Sequence, residues 1–143
     1  MTKVFLDTDV LLDVFLEREP HHSVALRLLT HLRGKGISCF TSAVVLANMN
    51  YLLEKARGRE YSVNKLRFLR RMVGVASIDE TMVDAALAAP NRDFEDSLQL
   101  HCAHGNRIET LITRNAKHYP KGRVRVTSPV EYLGSQGPAK SGE

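Results

Sequence analysis

Two apolar rhythms alternate along the chain. Residues 3–6, 37–40, 73–76, 110–113 and 124–126 are short apolar-rich runs that break off in polar or turn-forming residues, as strands buried in a parallel sheet do. Between them apolar residues recur at helical spacing. Residues 21–32 carry Val24, Ala25, Leu28, Leu29 and Leu32 on one stripe, with Pro20 read as a first-turn proline and Gly34 and Gly36 as the stop. Residues 42–57 open on Ser42, a good N-cap, and carry Val45, Leu46, Met49, Leu52 and Leu53. Leu66, Leu69 and Met72 mark a helix over 62–72, Asp79 can cap one over 80–89, and Asp93 can cap one running to about His104. Strands alternating with helices demand right-handed crossovers and a mostly parallel sheet covered on both faces. The expected architecture is a three-layer α/β/α sandwich on five strands, a single domain over 1–133. Residues 134–143, without an apolar anchor after Leu133, are expected to form a disordered tail.

Composition narrows the class. The chain has 143 residues, 43% apolar and 25% charged, which suits one globular domain and excludes a disordered or fibrous polymer. No run approaches the ~18 apolar residues of a membrane span, and MTKVFLDTDV meets charge too early for a secretory leader. A cytoplasmic protein is therefore expected, with Cys39 and Cys102 as buried thiols rather than a disulfide or a thiolate metal site. The six histidines lack zinc-site spacing. A net charge of +4 permits a polyanionic partner.

Chemistry is sought at the carboxyl ends of the strands, where open parallel sheets bind ligands. Asp7, Thr8 and Asp9 follow the first strand; Thr41 and Ser42 follow the second, with Asn48 two turns on; Thr113, Arg114 and Asn115 follow the fourth. Asp93, Glu95 and Asp96 open the helix before that fourth strand, with Asp93 and Asp96 at i, i+3 on one side of its first turn. A carboxylate ending an apolar strand is costly to bury unless paired or bound to a cation. Several gathered at one rim suit a hard divalent ion, Mg²⁺ or Mn²⁺, and such an ion can drive phosphodiester hydrolysis. Each acid also has a plainer reading: Asp93 and Asp96 as cap and dipole charges, Asp9 and Asp13 as first-turn acids of a short helix. Arg67, Arg70 and Arg71 form a ridge that reads as a solvated face, with RNA contact as the sharper alternative, while Lys117, His118, Lys121, Arg123 and Arg125 lie nearer the expected rim. The acids thus cluster at two junctions and the basic excess lies elsewhere.

Four segments in order, LDTDVLLDVFLEREPHH, TSAVVLANMNYLL, DFEDSLQLHCA and LITRNAKHY, resemble PIN domains over about residues 3–133, particularly the small bacterial PIN proteins that include VapC-like toxins. The resemblance implies sheet order 3-2-1-4-5 and a Mg²⁺- or Mn²⁺-dependent endoribonuclease acting on single-stranded or structured RNA. It also implies a homodimer and an antitoxin partner, the chain being the toxin of a type II toxin-antitoxin pair. By position it implies Asp7, Asp96 and the additional acid Asp93 as catalytic metal ligands, and Asn115 as catalytic through the waters around the ion. Asn48, Thr113 and Asp9 would orient water or substrate. Among the basic residues, Arg114, Lys117, Arg67 and Arg70 are the expected nucleic-acid contacts, on their charge. Two positions depart from the family: Asn48 stands where glutamate is usual, and Asp9 where asparagine is commoner. The first motivates an alternative, a catalytically weak or inactive PIN domain that binds RNA or protein; Asp93 is the favoured compensating acid. A haloacid-dehalogenase-type phosphatase, suggested by Phe5-Leu6-Asp7-Thr8-Asp9, loses its support at Leu11 and at DFED, which opens a helix.

Overall fold

The computed structural model describes residues 2–89 and 93–136. In chain order the elements are β1 (Lys3–Leu6), α1 (Thr8–Phe15), α2 (His22–Gly34), β2 (Ser38–Ser42), α3 (Ala43–Arg57), α4 (Arg59–Arg70), β3 (Gly74–Ala76), α5 (Glu80–Leu87), α6 (Phe94–Gly105), β4 (Thr110–Ile112), a 3-10 turn at Ala116–His118, β5 (Arg125–Thr127) and α7 (Pro129–Gln136). All five strands are parallel and run in the order β3-β2-β1-β4-β5. Helices α1, α2, α3, α4 and α7 pack in one connected group and α5 with α6 in another, giving the three layers expected.

Capping fixes several helix starts where the sequence placed them. Ser42 Oγ accepts from Val45 N at 3.2 Å, Asp79 from Met82 N at 2.9 Å, and Asp93 from Asp96 N at 3.0 Å. The residues after Leu6 form a full helix, α1, whose N-cap is Asp7 itself. Pro20 precedes the His21 N-cap of α2 rather than sitting in its first turn, and α2 runs on through Gly34. The chain then leaves through Gly36 at φ +65°, a conformation that glycine adopts without a Cβ penalty. The expected helix over 62–72 begins earlier, at Arg59, after Gly58. Tyr132 is buried against the core, and α7 continues past residue 133 to Gln136. Residues 137–143 of the expected tail lie outside the described residues.

Phe5, Leu6, Leu11, Leu28, Leu32, Met49, Leu53, Leu69, Ile108, Leu111 and Ile112 fill the core. Leu111, in β4 between β1 and β5, is wholly buried, so Leu111→Ala is expected to cost about 2–5 kcal/mol in chemical denaturation. Cys39 and Cys102 are free, and burial pushes both thiols up to about 11, so they behave as packing residues. No helix among the described residues is long and apolar enough to cross a membrane.

Register is what builds the site. Leu6 pairs with Ile112, and Asp7 N continues the ladder to Ile112 O at 3.1 Å, so Asp7 leaves the sheet beside Thr113. By contrast, Arg67 and Arg70 lie in the last turn of α4, which leads into the amino end of edge strand β3. Topology therefore puts them at an edge of the sheet, two strands from β1, and at the opposite end from Asp7. Arg70 spends its guanidinium on Val73 O at 3.0 Å.

Candidate active site

Asp7 is the best-buried acid at this rim, 8% exposed. Its Oδ1 accepts from Thr8 N at 2.8 Å and its Oδ2 from the Tyr119 hydroxyl at 3.3 Å. Burial, reinforced by the Asp9 charge, raises its pKa to about 6. Asp96, half-buried at the start of α6, is shifted in the same direction, first by burial and then by Asp93. Asp96 and Tyr119 line one cleft, so the phenol that reaches Asp7 also stands near the start of α6. A cleft of about 330 Å³ beside them is lined by Asp93, Asp96, Ser97, Leu100, His118, Tyr119 and Pro120.

Asp9 is held by the loop after β4. Its carboxylate accepts from Thr113 Oγ1 at 3.2 Å, Arg114 N at 3.2 Å and Asn115 Nδ2 at 3.3 Å, while Asn115 N donates to Thr113 Oγ1 at 3.2 Å. Asp9, Thr113 and Asn115 thus form one cluster that clamps the segment after β4. Burial nevertheless raises the Asp9 pKa against the opposing charge of Arg114.

Arg114 is not free for nucleic acid. Its Nε lies 2.6 Å from Asp13 Oδ2 and its Nη2 3.3 Å from Asp13 Oδ1. Asp13 is not a solvated first-turn acid either: it is 1% exposed, and Arg18 Nε takes its Oδ1 at 3.0 Å. A carboxylate that deep needs forked donors, and two arginines supply them. Lys117 remains exposed on the 3-10 turn, next to the cleft.

Where α3 lacks a glutamate, a carboxylate arrives from α6 instead. Asn48 Nδ2 donates to Glu95 Oε2 at 2.5 Å. The favoured compensator, Asp93, commits one oxygen to capping and presents the rest of its side chain to the cleft. Tyr119 and Glu95 were the residues that sequence reading did not assign to the site. Only the i, i−1 position of Glu95 beside Asp96 hinted at the latter.

The donor set suits a hard, oxygen-ligated ion. Asp7 and Asp96 both have raised pKa values, and Thr8 Oγ1, next to Asp7, is buried without a hydrogen-bond partner. Among the described residues no three acidic, histidine or cysteine side chains close into a metal cage. Mg²⁺ asks for no more than one or two carboxylates, with waters and substrate phosphates completing its shell.

The comparisons agree with this architecture. The PIN domain family model matches residues 3–117. The chain is 22% identical over 135 residues to ribonuclease VapC1 of Aquifex aeolicus, covering 91% of this chain and 92% of that protein. Among solved structures, VapBC2 of Rickettsia felis bound to a promoter DNA fragment superposes with a TM-score of 0.70 at 17% identity, covering 89% of this chain and 98% of the other. VapC20 of Mycobacterium tuberculosis, a sarcin-ricin-loop-cleaving toxin, gives 0.63 at 20% identity over 76% and 86% of the two chains. A family match over most of the chain, on a sheet whose strand order places Asp7 and Asp96 at one rim, makes this protein a member of the PIN domain family.

Proposed function

We propose that this protein is a divalent-metal-dependent endoribonuclease of the VapC type, acting on RNA phosphodiester bonds as the toxin partner of an antitoxin protein. The observation that carries the reading is the placing of buried Asp7, at the carboxyl end of β1 and held by the Tyr119 hydroxyl, beside the cleft that Tyr119 shares with Asp96 at the start of α6. Asp7 and Asp96 would hold Mg²⁺ or Mn²⁺, with Asp93 at the mouth of the cleft. The ion, when bound, supplies an acidified water and a Lewis acid toward a phosphoryl oxygen. Everything else falls to side chains of this protein. Asp9, Thr113 and Asn115 fix the loop that forms one wall, Asn48 orients Glu95 toward the acidic rim, and exposed Lys117 offers a charge to the RNA backbone. The relatives support the substrate class, since one is a ribonuclease and another a toxin that cleaves the sarcin-ricin loop. That solved neighbours include a VapBC assembly and a toxin-antitoxin complex from Klebsiella pneumoniae supports the antitoxin partner.

The deciding experiment pairs binding with turnover. Calorimetric titration of the EDTA-stripped protein with Mn²⁺ is expected to show uptake that Asp96→Asn abolishes, and cleavage of a structured RNA is expected to appear only when Mn²⁺ or Mg²⁺ is added. Cleavage that persists undiminished in EDTA overturns the metal-dependent reading. Mn²⁺ uptake without cleavage of any RNA offered favours the binding-module alternative.

A further inference from the structure

We propose that the apolar hollow next to the acidic cleft is a nucleobase subsite, which takes one unpaired base of the RNA strand whose phosphate enters that cleft. The proposal rests on the ribonuclease reading above and adds to it a place for the base.

Helix α6 contributes to both sites. Asp96 and Leu100 line the acidic cleft, and Leu100, His101 and His104 line a second hollow of about 300 Å³. Asp96, Leu100 and His104 are spaced i, i+4, i+8, so they form one stripe along the helix with about 6 Å of axis per step. The connection between β4 and β5 supplies the other wall of both: Tyr119 and Pro120 beside the acids, then Pro120, Arg123 and Val124 beside the histidines. Leu100 and Pro120 are the shared boundary, which makes the two hollows successive stations of one trough. A nucleotide spans such a step from its phosphate to the far edge of its base.

The chemistry changes along the trough in the order that a nucleotide needs. The first station holds carboxylates, which suit a metal-held phosphate. The second is walled by Leu100, Pro120 and buried Val124, with two imidazoles beside them. Apolar surface left open next to a polar cleft is unfavourable in water, and a flat aromatic ligand covers it. Imidazole rings and guanidinium planes are the platforms on which unstacked RNA bases lie. Arg123 Nη1 donates to His104 Nε2 at 3.4 Å, and among the described residues no carboxylate pairs with Arg123. Its charge is therefore available to a neighbouring phosphate of the same strand. An apolar side chain of a protein partner would fill the hollow but leave the two imidazoles and this cation without a counterpart.

The test compares two probes by fluorescence anisotropy in EDTA: a labelled single-stranded RNA decamer, and an abasic ribose-phosphate decamer of the same charge. Stacking of a base on an aromatic side chain is worth roughly 5- to 150-fold in affinity, so the wild type is expected to bind the RNA tighter than the abasic strand by about that factor. In the double variant His101→Ala, His104→Ala the ratio should fall toward one, with a melting temperature near that of the wild type because neither histidine is buried. His104→Gln alone, at an exposed position, should lower the ratio in the same direction. Arg123→Gln should weaken both probes alike and reduce the salt slope by about 1. Equal binding of the two probes by the wild type overturns the proposal. So does a base preference that survives the double substitution, and the hollow then falls to a side chain of a protein partner. Both probes are read without metal, so a wild type that takes up no Mn²⁺ but keeps the base-dependent ratio overturns the metal-dependent reading and not this subsite.

Discussion

Asp7→Asn is expected to abolish RNA cleavage and, at neutral pH without metal, to make the protein more stable. Loss of activity of at least about a hundredfold follows from the reading of Asp7 as an ion ligand, because even the outer partners of such ligands cost 10–100-fold. The gain in stability follows from burial. Asp7 has a pKa of 3.8 as a free side chain and about 6 in the fold, so between these values the folded protein holds a proton that the unfolded chain has released. Stability owed to this group is therefore greatest below pH 4, declines as pH rises from about 4 to about 6, and stays lowered above that. Asparagine keeps the N-cap on Thr8 and carries no charge to desolvate. Above pH 6 the variant should be more stable than the wild type by on the order of 2–3 kcal/mol, and the difference should vanish near pH 4. Melting curves from pH 4 to pH 8 in EDTA check this; equal stability at pH 7.5 refutes it. Saturating Mn²⁺ should reverse the order, since ion binding stabilises only the chain that binds it.

The second large effect lies away from the cleft. Asp13→Ala leaves two guanidinium groups, those of Arg18 and Arg114, without their carboxylate. Breaking a buried pair from one side costs about 3–5 kcal/mol. Both arginines keep about a third of their side chains in water, at 38% and 30% exposure, which places the expected loss near the lower end, about 3 kcal/mol. For a chain of this length that corresponds to a fall in melting temperature of roughly 10 °C. Arg114→Met in the same background should recover part of it by removing one orphaned charge. A loss under about 1 kcal/mol shows that solvent replaces the carboxylate. The variant should also reduce cleavage, because Arg114 stands between Thr113 and Asn115 in the loop that leads to Tyr119.

Strand ends and helix caps were legible residue by residue. Lys3–Leu6 was bounded by Asp7, and Ser42, Asp79 and Asp93 cap the helices they were expected to cap. These features depend on neighbours within four positions, so local sequence contains them. Helix α7 escaped because it is held by one buried face, around Tyr132, rather than by a strong apolar period of its own. Arg114 was misjudged for a related reason. A basic residue after a strand reads as a surface charge until Asp13, 101 positions earlier, is seen beneath it.

By itself, then, the sequence determined the alternation of strand and helix, the parallel sheet, and the set of acids that reach its carboxyl rim, because hydrophobic period and capping are short-range properties. Only the tertiary structure decided how those acids divide. Asp7 turns to the Tyr119 phenol, Asp96 lines the cleft beside it, Asp9 turns to the loop after β4, Asp13 is consumed by two arginines, and Glu95 meets Asn48 where a glutamate was missing. The physical reason is that a carboxylate's role is fixed by the donors within about 3 Å of it, and here most of those donors come from segments 40 to more than 100 residues away.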